Sequence, residues 1–129
     1  REITVEQTMT KESFAPLFSS EWSGSKVWPC AVELNAYLEA SVAAGKLVLH
    51  DQRIVELGSG SGATAIPCCI LGATVVASDQ AALVPLLLRN ADANLDAAER
   101  ARFSAVTHNW GDDVDPLGTA NIVLVSDCL

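Results

Sequence analysis

Hydrophobic positions along the chain fall into two rhythms. "RIVEL" (53–57), "TVVAS" (74–78), "FSAVT" (103–107) and "NIVLVS" (121–126) are short runs rich in Val, Ile and Leu, as strands buried on both faces require. Longer stretches lie between them. "GATAIPCCILG" predicts a helix over about 62–71, with Pro67 an awkward guest, and "AALVPLLLRNADANL" one over about 81–95, with Pro85 near its first turn. Upstream, Leu34, Leu38 and Val42 recur every four residues, Pro29 suits a helix start and Gly45 fits just past an end, which predicts a helix near 30–44. "ITVEQT" near the N-terminus alternates and reads as a short edge strand. Strands alternating with helices predict an α/β fold, a doubly wound parallel sheet covered on both faces.

The first strand runs into "GSGSGA", with glycines at alternate positions. In such sheets ligands bind at the carboxyl ends of the strands. There Gly58 and Gly60 let the backbone turn and approach a ligand, and Gly62 permits tight packing at the helix start. Gly58, Gly60 and Ala63 also satisfy the G-x-G-x-x-A dinucleotide pattern, and Asp79 stands where an acid would hold a ribose hydroxyl. Glu56, two positions before the first glycine, discriminates. Beside a pyrophosphate its carboxylate would repel, whereas beside the amino and sulfonium groups of S-adenosylmethionine it would attract. The plainer readings are a backbone-capping role for Glu56 and a helix N-cap for Asp79.

Composition narrows the partners. A chain of 129 residues suits one domain, and half of its residues are hydrophobic, enough for a core. The net charge of −8 is a poor match for a nucleic-acid backbone and a better one for a basic protein or a cationic ligand. Cys30, Cys68, Cys69 and Cys128 form no C-x-x-C pair and read as buried reduced thiols; His50 and His108 are isolated, so no metal site is expected. No apolar run has the length of a membrane helix, and the polar first 20 residues do not read as a signal peptide. The expected setting is the cytoplasm, with the nucleus as the alternative.

Several blocks together resemble the seven-β-strand protein methyltransferases of the lysine-methyltransferase-like group (methyltransferase family 16): "VWPCAVELNAYLEA", "IVELGSGSGATAI", "LGATVVASDQAALVPLLLRNADAN", "HNWGDD" and "NIVLVSDCL". The resemblance covers about residues 22–129, leaving 1–21 as an N-terminal segment. It implies a Rossmann-like class I methyltransferase fold that takes S-adenosylmethionine and methylates a protein amine, most often a lysine. Carried over residue by residue, it implies that Trp28 walls the pocket near the methionine part, while Glu56, Gly58, Ser59 and Gly60 line the methionyl side. Asp79, with Gln80 beside it, would accept from the ribose hydroxyls, and Trp110 would pack on the adenine. Ser126 would close the pocket through its backbone, and Asp127 would open the family's D-x-x-Y block beside the methyl group and the incoming amine. Ordinary core aromatics are the alternative for the two tryptophans, and a turn cap for Asp127.

Two departures stand out. Many relatives carry an acid before the second tryptophan, where this chain has Asn109, whose amide can accept from an adenine amino group without charge. The chain also begins at Arg1 and ends at "SDCL", one position short of the expected tyrosine and before the remaining strands. The expectation is a part of a larger protein, lacking the last strands. The alternatives are a methyltransferase-like module that binds without catalysing and, less favoured, a dinucleotide-dependent oxidoreductase.

Overall fold

The computed structural model describes residues 1–7 and 23–128. Four strands, β1 (Arg53–Leu57), β2 (Thr74–Asp79), β3 (Phe103–Thr107) and β4 (Ile122–Val125), form one sheet in the order β3-β2-β1-β4. All three pairings are parallel. The helices with both ends among the described residues are α1 (Pro29–Ala43), α2 (Ala65–Ile70), α3 (Val84–Asn94) and α4 (Ala97–Arg100). A 3-10 turn at Asp115–Leu117 lies between β3 and β4. The chain builds outward from β1 through β2 to β3, then crosses back to lay β4 on the other side of β1. That reversal opens a crevice at the carboxyl ends of β1 and β4, the usual ligand position in open α/β sheets.

Register sorts the strand residues onto two faces. Ile54 pairs with Val75 and Ile122, and Glu56 with Ala77 and Leu124, so these share a face. That face meets Leu38 of α1, Ala65, Ile66, Cys68 and Cys69 of α2, and Leu87 and Ala91 of α3 in the main core. Burying each large aliphatic side chain there contributes about 1.5–3 kcal/mol. Leu34 and Val42 flank Leu38 on the inward side of α1, as their spacing predicts. The opposite face holds a smaller cluster of Val55, Val76 and Leu117, with Leu57 and Val106 partly buried against it. Among the described residues, the 3-10 turn supplies the only non-strand member of that cluster.

Several boundaries differ from the sequence expectation, each for a local reason. α2 starts at Ala65, three residues late, because Gly60 and Gly62 adopt positive φ (54° and 85°), incompatible with a helix. Pro67 therefore falls in the first turn, where its missing N–H costs nothing. α3 starts at Val84 after a turn closed by Leu83 N–H donating to Gln80 O at 2.9 Å. α4 was not expected; it is held by a capping box in which Asp96 accepts from Glu99 N–H and Glu99 accepts from Asp96 N–H. Residues 3–7 of the expected edge strand form no strand, and residue 8 lies outside the described residues. Ile3 and Val5 still pack inward, so the alternation is real. The backbone groups of Thr4 and Glu6 bond instead to side-chain amides of α3.

Candidate functional site

The glycine loop leaves β1 at Leu57 and is fixed from several directions. Ser59 N–H donates to Ser78 O at 2.9 Å, Ser78 N–H donates to Ser59 Oγ at 3.1 Å, and Asn35 of α1 donates to Ala63 O at 2.8 Å. Each glycine yields to a different neighbour. A Cβ on Gly58 would lie 2.4 Å from Cys128 Sγ, and one on Gly60 would lie 2.3 Å from Gly24 O. At Gly62 it would meet Leu87 Cδ1 at 2.7 Å, the tight helix packing expected of it. Gly58 and Gly60 thus admit the walls of a cleft, where the sequence suggested close approach to a ligand.

Glu56 ends up beneath this loop, 3% exposed, and its Oε2 has no hydrogen-bond partner. Burial pushes its carboxyl up to about 8, opposed by hydrogen bonds from Ser59 and the Ala65 N–H. Asp79 closes β2 on the other side of the loop. Its Oδ2 accepts from Gly60 N–H and its Oδ1 from Gln80 N–H, both at 2.7 Å. Burial raises its carboxyl as well, while those two donors hold it down. Asp79 is not a helix N-cap, since α3 begins five residues later with Leu83 in that position.

One cleft of about 290 Å³ takes in Trp28, Glu56, Gly58, Ser59, Gly60, Asp79, Gln80, Trp110, Ser126 and Asp127. Asn109 lies outside it, in a small adjoining recess with Gly58, Asp79, Gln80 and Trp110. Asn109 Nδ2 and its backbone N–H both donate to Asp112 Oδ2 at 2.9 Å, which turns the amide oxygen away from that carboxylate. Neither tryptophan is a core residue. Trp28 is 45% exposed, with Nε1 donating to Ser23 O, and Trp110 is 60% exposed. Ser126 Oγ is buried without a partner. Asp127 sits at the rim with φ 53°, and its carboxylate accepts a hydrogen bond from the Cys30 thiol, which raises that thiol's pKa.

The cleft also has walls that sequence reasoning missed. Cys128 fills the space left by Gly58, and its Sγ donates to Leu57 O and Ser126 O at 3.4 and 3.2 Å. Lys26, Ser61, Thr64 and Leu83 line it too. Ser61, Thr64, Leu83 and Cys128 lie inside the quoted blocks but carry no signal of their own, and Lys26 lies outside them; the fold brings them to the cleft. Of the four cysteines, Cys68 and Cys69 are buried as expected, whereas Cys30 is exposed and Cys128 half-buried. Among the described residues, no three His, Cys, Asp or Glu side chains gather into a metal site, and no helix is long and apolar enough to cross a membrane.

The family profile of the lysine methyltransferases matches residues 18–129. Over 115 residues the chain is 30% identical to protein N-lysine methyltransferase METTL21A of Danio rerio, covering 84% of this chain and 51% of that protein. It is 32% identical over 97 residues to the protein N-terminal and lysine N-methyltransferase EFM7 of Cryptococcus neoformans, covering 73% of this chain and 31% of that one. The chain thus spans about half, or less, of the length of these curated relatives. Among solved structures, magnesium protoporphyrin IX methyltransferase from Synechocystis PCC 6803 superposes with a TM-score of 0.57 at 22% identity, over 81% of this chain and 42% of that one. The glycopeptide N-methyltransferase MtfA does so at 0.53, with 22% identity, over 70% and 40%. Those likenesses establish the fold. Since the family profile spans the whole sheet and the loop that leaves β1, the chain belongs to the lysine methyltransferase family.

Proposed function

We propose that this chain carries the S-adenosylmethionine pocket of a protein-lysine N-methyltransferase. The carrying observation is the pair of acids flanking the glycine loop. Glu56 brings a buried, unpartnered oxygen to the cleft, and Asp79 occupies the Gly60 N–H that a pyrophosphate would need. An anionic dinucleotide would meet the Asp79 carboxylate and the buried Glu56 carboxyl, and lose a loop donor. A cationic amino acid portion would instead supply the donor that Glu56 Oε2 lacks. The lone pairs left on Asp79 suit ribose hydroxyls, and the exposed face of Trp110 suits an adenine ring. The relatives named as protein-lysine methyltransferases support a protein acceptor.

S-adenosylmethionine supplies an electrophilic methyl group on a sulfonium, open to in-line displacement by a neutral amine. The protein's share is alignment and exclusion of water. A lysine amine, with a pKa near about 10.4 in water, must arrive without its proton. Asp127, at the rim, is placed to accept hydrogen bonds from that amine and orient its lone pair into the cleft. Trp28, on another wall of the cleft, leaves a broad aromatic face for the methionine part of the cofactor.

Calorimetric titration of the chain with S-adenosylhomocysteine, with NADH as control, tests the cofactor. Saturable binding of the first alone is the expected result. Binding of NADH alone would overturn the reading.

A further inference from the structure

The pocket reading makes no use of residues 1–7, yet two neighbouring residues of that segment reach two different walls of the cleft. Asn90 lies on α3, 2% exposed, where an amide is costly unless it is fully hydrogen-bonded. Its Oδ1 accepts from Glu6 N–H at 2.7 Å. Its Nδ2 donates to Glu6 O at 2.9 Å and to Ser61 O, in the glycine loop, at 2.8 Å. Both amide hydrogens are therefore used, one on the N-terminal segment and one on the loop. One residue further along, Gln7 Oε1 accepts from Val27 N–H at 2.8 Å, and Val27 lines the cleft. These two walls already touch, because Gly60 admits Gly24 O where a Cβ would be.

The segment is seated by more than these bonds. One helical turn along α3, Asn94 accepts from Thr4 N–H at 3.0 Å and donates to Thr4 O at 2.7 Å. Four residues of helix advance about 6 Å and two residues of extended chain about 6.6 Å, so two asparagines at this spacing can each serve one backbone unit of an extended segment. Arg1 pairs with Glu99 at 2.8 Å and Arg89 with Glu6 at 3.2 Å. Asn94, unlike Asn90, reaches neither wall of the cleft.

We propose that residues 1–7 are a positioning strap for the pocket, fixing the glycine loop through Asn90 and the 23–28 wall through Gln7. Asn90 and Gln7 are positioning residues: they set where Ser61 and Val27 stand and need touch no ligand. The effect on cofactor binding rests on the pocket reading above; the effect on the two walls does not.

The test compares Asn90→Ala, Gln7→Ala and Asn94→Ala with the parent chain. Two readouts are taken: the Kd for S-adenosylhomocysteine, and backbone amide hydrogen exchange at Ser61, Gly62 and Val27. Asn90→Ala is expected to raise Kd at least fivefold with faster exchange at Ser61 and Gly62. Gln7→Ala is expected to raise Kd at least threefold with faster exchange at Val27, and Asn94→Ala to stay within twofold on both readouts. Parental Kd and exchange in the first two variants would overturn the proposal. An equal loss in Asn94→Ala would overturn it too, by showing general loosening of α3. Should Asn90→Ala fail to fold, Gln7→Ala, whose bond lies at the surface, decides the matter. Should the parent fail to bind S-adenosylhomocysteine, the pocket reading falls, and the exchange data still confirm or sink the strap.

Discussion

Glu56 turns burial into a pH response. Its carboxyl sits at about 8 in the fold, against an ordinary value of 4.5. Between those values the folded protein keeps a proton that the unfolded chain has released, so folding stability falls as pH rises through that window and levels off outside it. The slope from this one group is at most about 1.4 kcal/mol per pH unit. Urea unfolding at pH 5.5 and 7.5 is expected to show a larger loss for the parent than for Glu56→Gln, and equal losses would refute the assignment. A cationic ligand beside this group favours the carboxylate, so binding of S-adenosylmethionine is expected to release a proton and to tighten as pH rises toward 8. Calorimetry in buffers of different ionisation enthalpy reads that proton directly, and Glu56→Gln should abolish it. The acid was legible in the sequence through its offset from the glycines; its missing partner was not, because that depends on Ser59 and α2 folding over it.

Elements were legible where pattern and punctuation agreed, and misread where a side chain replaced a backbone partner. The four strands appear within a residue of their expected limits because runs of Val, Ile and Leu have few other homes in a parallel sheet. The Asp96–Glu99 capping box carried its signature in plain view, two residues after the end of a helix that drew attention to itself. Residues 3–7 alternate like a strand, but no local pattern can reveal that their partners are asparagines on a helix some 90 residues away. Gly62 illustrates the opposite case, a residue whose role at the helix start could be read in advance. Its φ of 85° and the 2.7 Å approach of Leu87 Cδ1 together disfavour a side chain. Gly62→Ala is expected to cost about 1–3 kcal/mol through strain and overpacking, seen as a lower urea midpoint at unchanged slope. A midpoint equal to the parent's would mean that α3 can move away freely.

At the scale of the molecule, the sheet is finished unevenly. β4 pairs with β1 along one edge, and Val123 and Val125, on the face opposite the main core, stay 58% and 51% exposed. Exposed, apolar strand edges invite pairing between chains. Sedimentation of this chain is expected to show concentration-dependent self-association that Val125→Lys reduces without lowering the melting temperature. Indifference to that change would place the association elsewhere. The cleft itself was partly legible because its tryptophans and acids sit in motifs. Cys128 and Lys26 were not: the return of the chain to β1 sets Cys128 against Gly58, and the 23–28 wall brings in Lys26 from upstream of β1.

That return also imposes a timetable. Arg53 N–H at the start of β1 donates to Asn121 Oδ1 across 68 residues, and β4 follows at once. β2 and β3 can join β1 in the order in which a ribosome delivers them, whereas the other side of the central strand stays open until β4 emerges. Closing so long a loop is slow compared with pairing neighbours. Until β4 emerges the nascent protein therefore carries a half-made sheet, with its ligand crevice still lacking the β4 wall. Ligand can select the finished fold only after translation has passed β4.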